Sequence, residues 1–143
     1  MRIGIVGVSG YGGSELRRLC AQHPSFRLVY AGADSTAGQA VGELDLLFAS
    51  LPTGMSRDLL ARLPGSMKIV DVGGDHRFVE GWTYGLTELP GQRAGIEGAS
   101  RLANSGCYPA AAVTTATSKR TRTSLPADSK RTRMSRRWSG RSN

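Results

Sequence analysis

Two stretches of the chain hold residue types that could do chemistry. The first is "ANSGCYPAAA", residues 103–112, in which Cys107 follows a Ser-Gly pair and precedes Tyr-Pro and a run of alanines. This reads as a loop leading into a helix N-terminus. A cysteine there meets free backbone N–H groups and the positive end of the helix dipole, which stabilise a thiolate and make it a nucleophile at neutral pH. The competing reading is a structural thiol, because cysteine is among the most buried residue types. Cys20, between Leu19 and Ala21 on the apolar side of the first expected helix, reads as such a core cysteine.

The second stretch is "GIVGVSGYGGSELRRL", residues 4–19, with five glycines in its first ten positions. Arg2 to Val6 is a short apolar, β-branched run, and Ser14 onward has helical spacing through Leu16 and Leu19, so strand, glycine turn and helix is the expected order. Gly7, Gly10 and Gly13 stand at G-x-x-G-x-x-G spacing. This is a relative of the dinucleotide fingerprint, in which glycines allow a tight turn and close approach of a pyrophosphate. The anion would sit at the helix N-terminus, on unpaired N–H groups and the helix dipole. Ser9 adds a hydroxyl, and Tyr11 and Gly12 complete the loop. A structural turn with surplus glycine is the alternative.

Further strands are expected at 26–33 ("FRLVYAGA"), 45–51 and 67–72, the last closing on Gly73-Gly74, with a helix from Ser56 through Leu63. Strands alternating with helices and closing on small-residue loops predict an α/β fold, a Rossmann-like doubly wound parallel sheet. Its glycine-bearing loops would converge on the carboxyl edge.

Composition sets bounds on the remainder. At 143 residues one domain with a real core is expected, and two cysteines are too few for a disulfide framework. No apolar run approaches a membrane span and no signal peptide is evident, so the expected location is cytoplasmic, with no membrane partner and no metal site. The net charge of +8 arises entirely in the tail, because residues 1–116 hold ten basic and ten acidic side chains and residues 117–143 hold nine and one. Beginning at Thr117, the text is Ser/Thr/Arg-rich, with no period and hardly any apolar residues, which predicts disorder. A shifted reading frame is the preferred origin. A nucleic-acid-binding arm is the weaker reading, since Trp138 is the only aromatic there.

Taken together and in order, the glycine loop, "LPTG" at 51–54, "IVDVGGDHRF" at 69–78, "YGLTEL" at 84–89 and "ANSGCYPAA" resemble the N-acetyl-gamma-glutamyl-phosphate reductase family. That family belongs to the aspartate-semialdehyde dehydrogenase-like superfamily. The resemblance implies NADPH-dependent reduction of N-acetyl-glutamyl phosphate to the semialdehyde and phosphate, in arginine biosynthesis, through a thioester on Cys107. It implies that the Gly7–Gly13 loop holds the cofactor pyrophosphate, that Pro52, Thr53 and Gly54 line the cofactor, and that Asn104 and Gly106 shape the nucleophile loop. Residues 1–112 would then be the NAD(P)-binding domain and 113–143 the basic tail.

Departures from the family pattern shape the remaining expectations. Where the family offers Ser-Arg to the ribose phosphate, this chain reads "ADSTAG". Ser35 remains a donor, so NADP is expected, with NAD admitted by Asp34. The segments 38–45 and 78–84 are shorter than in the family, and His76 replaces an aromatic. A family member continues into a second domain with a histidine base, substrate arginines and the oligomer interface. Their absence after Ala112 implies an incomplete fold and no turnover by this chain alone. The alternatives are a non-catalytic nucleotide-binding module and a reductase of a related acyl phosphate, aminoadipyl or aspartyl.

Overall fold

A computed structural model of the chain describes residues 1–32 and 44–123, with side chains described as far as residue 116. The elements run β1 (Arg2–Val6), α1 (Tyr11–Gln22), β2 (Arg27–Gly32), β3 (Leu46–Ala49), α2 (Ser56–Ala61), β4 (Lys68–Asp71), β5 (Thr83–Gly85), α3 (Gln92–Gly98), β6 (Arg101–Asn104) and α4 (Cys107–Thr123). The strands form one six-stranded sheet in the order β2-β1-β3-β4-β6-β5. Every pairing is parallel. This is the Rossmann-like α/β architecture that the alternation of apolar runs implies.

Side chains alternate across the sheet and build two cores. In the β1–β3 register Ile3 lies opposite Leu46 and Ile5 opposite Phe48. These residues face α1, where Leu16 and Cys20, four apart on the helix, close over them. Val6, Leu47, Ala49 and Ile69 face the other way, onto Leu59 and Leu60 of α2 and onto Met67. Ile3, Ile5, Leu47, Leu60 and Ile69 are fully enclosed. Each contributes about 1.5–3 kcal/mol through burial. With helices on both faces, the sheet is doubly wound.

Chain order places β2 on one side of β1 and β3 on the other, which makes the crevice between β1 and β3 the topological switch point. The loops that leave these two strands meet there. Ser50 donates its N–H to the Val6 carbonyl at 2.9 Å, and Gly7 donates to the Gly32 carbonyl at 2.9 Å.

The second helix ends at Ala61 rather than Leu63 and the strands β2, β3 and β4 are each shorter than expected, but two boundaries differ more. The first helix begins at Tyr11 rather than Ser14, because Gly10, in extended conformation, serves as N-cap and its carbonyl accepts the Ser14 N–H at 2.9 Å. Glycine's poor helix propensity at positions 12 and 13 is overridden by lack of space, since a Cβ on Gly13 would strike the Gly7 carbonyl and one on Gly12 would lie 2.9 Å from the Ser50 hydroxyl. At the other end, α4 carries regular backbone past residue 112 and through Thr123, beyond the start of the expected disordered tail at Thr117. The alanine run favours this helix, and Thr114 and Thr115 fold their hydroxyls back onto the Ala110 and Ala111 carbonyls at 2.8 Å. The rest of the tail, residues 124–143, lies outside the described residues.

Candidate functional site

The three glycines of the first loop carry three different physical duties. Gly7 sits at φ +80°, where L side chains are strained, and a Cβ there would strike the Ser50 carbonyl. Gly13 passes so close to β1 that a Cβ would collide with the Gly7 carbonyl and the Val8 backbone. Gly10 meets neither constraint. Nothing lies within 4 Å of a Cβ built on it, and it is exposed in front of the α1 N-terminus. No side chain caps that terminus and no acid lies in its first turn, so the helix presents its first N–H groups to whatever approaches. Tight turn, open approach and close packing together form a cradle for an anion at the backbone. Ser9, Tyr11 and Gly12 are exposed around it.

Loops after β3 and β4 complete this rim. Pro52, Thr53 and Gly54 are exposed, and Gly54 turns at φ +95°. Asp75 ties the two loops together. Its carboxylate accepts the Gly54 N–H at 2.6 Å, the Ser56 N–H at 3.0 Å and the Ser56 hydroxyl at 2.8 Å. The Gly54 N–H above all, with Ser56 and the nearby His76, holds this carboxyl below the usual range against the upward push of burial. The Thr53 side chain in turn lies over Gly74, with Oγ1 3.1 Å from the position of a Cβ there.

Cys107 is the first residue of α4 and is exposed. It is reached from the end of β6 through Asn104, Ser105 and Gly106, the last at φ +85°. Pro109 falls in the first turn, where a missing N–H costs nothing. Two side chains hold the strand end. Arg77 donates Nε–H to the Asn104 carbonyl at 2.9 Å, and the Tyr84 hydroxyl donates to the Ser105 carbonyl at 3.3 Å. A Cβ on Gly106 would lie 2.9–3.0 Å from the Arg77 guanidinium, so this cation lies against the residue preceding the thiol. Phe78, at φ +63°, stacks on Tyr84 with ring centroids 4.7 Å apart and is 84% exposed.

The structure thus places Gly7 to Gly13 at the carboxyl end of β1, Pro52 to Gly54 after β3, Asn104 at the end of β6, and Gly106 and Cys107 after it, all along one edge of a parallel sheet. Asp34 and Ser35 lie outside the described residues. Cys20 is enclosed in the α1 core, and burial pushes its thiol up.

Two features escaped the sequence reading. Arg77 makes its contact with Asn104 from 27 positions away, and no local pattern signals it. Behind the rim, His76 and Asp71 pair at 2.7 Å, both nearly fully enclosed, and the Ser56 hydroxyl reaches Asp71 at 3.2 Å. The acids and the histidine are visible in "IVDVGGDHRF", but their convergence depends on the turn at Gly73-Gly74.

Among the described residues no helix is long and apolar enough to cross a membrane. Residues 2–44 match the family described as semialdehyde dehydrogenase, NAD binding domain. Curated relatives extend the likeness. The N-acetyl-gamma-glutamyl-phosphate reductase of Bradyrhizobium sp. (strain BTAi1) is 50% identical over 138 residues, covering 80% of this chain and 42% of that protein. The enzyme of the same name from Methylobacterium sp. (strain 4-46) is 48% identical, covering 78% and 41%. That from Salinispora arenicola is 40% identical, covering 79% and 45%. The chain spans about two fifths of the length of the curated relatives it matches. The Bradyrhizobium match runs over 138 positions yet uses 80% of the 143 residues here, so the relative carries segments that this chain skips.

Proposed function

We propose that this chain is the nucleotide-binding and nucleophile-bearing part of an NADP-dependent acyl-phosphate reductase acting on N-acetyl-glutamyl phosphate. The observation that carries the proposal is the placement of Cys107, exposed at a helix start, on the same sheet edge as the glycine cradle. The substrate and the place in arginine biosynthesis rest on the similarity to the N-acetyl-gamma-glutamyl-phosphate reductases.

In this reading the N–H groups at the α1 start hold the cofactor pyrophosphate over Gly10, and Ser9, Pro52, Thr53 and Gly54 flank it. The Cys107 thiolate attacks the acyl carbon and the carbon–oxygen bond to phosphate breaks, leaving a thioester on Sγ. Arg77, beside Gly106, steadies the phosphate as it leaves. A nicotinamide cofactor held by the Gly7–Gly13 loop would supply the hydride for reduction of the thioester carbon. Collapse of the resulting thiohemiacetal returns the thiolate and releases the aldehyde. Asn104 and Gly106 set where Sγ stands relative to the acyl group.

Titration with NADPH and NADH, read by nicotinamide fluorescence and thermal unfolding together, tests the cofactor half of the proposal. Saturable binding of NADPH with a raised Tm is the expected result. Absence of binding by both probes overturns it.

A further inference from the structure

Away from the sheet edge, a cavity of about 630 Å³ opens between α2, the loop after β4 and the start of β6. Its size is within the range of small-molecule sites. Leu60, Val79 and Trp82 give it apolar walls, and its polar lining comes from Arg57, His76 and Arg101. None of the residues assigned above to the cofactor or to the thiol lines it.

The polar groups are anchored from behind. Asp71 accepts the Gly73 N–H on one oxygen at 2.9 Å, and its other oxygen lies 2.7 Å from Nδ1 of the His76 imidazole. His76 is only 5% exposed and stacks on Trp82 at 3.9 Å between ring centroids. Its Nε2 has no hydrogen-bond partner among the described residues. Arg101 donates Nη2–H to the Pro64 carbonyl at 3.2 Å, and its Nη1 is enclosed with no partner. Arg57 donates to the Asp75 carbonyl at 3.2 Å and keeps its remaining N–H groups. The wall thus offers two guanidinium groups, one unpartnered imidazole nitrogen and no carboxylate.

We propose that this cavity is a second binding site, for a small carboxylate that also carries a hydroxyl on an apolar body. The arginines take the carboxylate, the hydroxyl, which can both donate and accept, bonds His76 Nε2, and Leu60, Val79 and Trp82 cover the body. The test uses the full chain carrying Trp138→Phe, so that Trp82 is its single tryptophan reporter. It is titrated with 4-hydroxybenzoate, benzoate and 4-hydroxybenzyl alcohol as probes. The expected result is a saturable change in Trp82 emission for 4-hydroxybenzoate, at least five-fold weaker affinity for each probe lacking one polar group, and at least ten-fold weaker affinity in Arg101→Met. Arg57→Met supplies the same test should the Arg101 variant fail to fold. The proposal is overturned by an absent or unsaturable response to 4-hydroxybenzoate, by equal affinity for the three probes, or by unchanged affinity in the folded arginine variants.

Discussion

Alanine at Gly10 and alanine at Gly13 should have opposite consequences, although the two glycines belong to one motif. At Gly13 the new Cβ would meet the Gly7 carbonyl and the Val8 backbone, none of which is the far end of a flexible side chain. The start of α1 and the turn at Gly7 and Val8 must separate, an overpacking strain of about 1–3 kcal/mol. For a chain of this size each kcal/mol lowers Tm by roughly 3–6 °C, so a fall of about 3–18 °C is expected. At Gly10 the Cβ enters open space from an ordinary backbone conformation, φ −83° and ψ 167°. The weaker N-capping of alanine, about 1 kcal/mol or less, is offset by about 0.4–1 kcal/mol of lost unfolded-state entropy. Tm should therefore stay within about 3 °C. The methyl group nevertheless stands where a pyrophosphate must approach the α1 N–H groups, so NADPH affinity should fall at least ten-fold. Thermal unfolding of both variants, with NADPH titration of Gly10→Ala, provides the assay. Wild-type NADPH affinity in Gly10→Ala, or a Tm loss there equal to that in Gly13→Ala, would refute the reasoning.

Other consequences follow from the buried polar groups and the two thiols. Ser56→Ala removes a hydroxyl that serves both Asp71 and Asp75 in a fully enclosed position, and should cost about 1–3 kcal/mol, read as lowered Tm. Because Asp75 is held below its unfolded value near 3.8, its contribution is fully present above that pH and is lost as pH falls through its lower folded value. An Asp75→Asn variant should therefore lose part of the wild-type decline in stability below about pH 4. Iodoacetamide should modify exposed Cys107 in the native protein and reach enclosed Cys20 only after denaturation, as peptide mass spectrometry would show.

The parts of the fold most legible in the sequence are those set by local rules. The β1–turn–α1 unit could be read because an apolar run, spaced glycines and a helical period occur side by side. The start of α1 was misplaced since Gly12 and Gly13 look like turn residues until their close approach to Ser50 and to the Gly7–Val8 backbone is known. β5, α3 and β6 left little signal. β5 has three residues, α3 buries none of its side chains, and β6 shows one buried position in four. Cys107 could be found because a small-residue loop precedes an alanine run. Arg77 and the Asp71–His76 pair could not be assigned, because their partners are brought to them by sheet pairing and by the turn after β4.

The most direct test of the central claim is mass spectrometry of the protein mixed with N-acetyl-glutamyl phosphate in the absence of cofactor. The account predicts release of phosphate together with an N-acetyl-glutamyl adduct confined to the Cys107 peptide, both lost in Cys107→Ser. Phosphate release with no adduct on Cys107, or an adduct that persists elsewhere in Cys107→Ser, would contradict it.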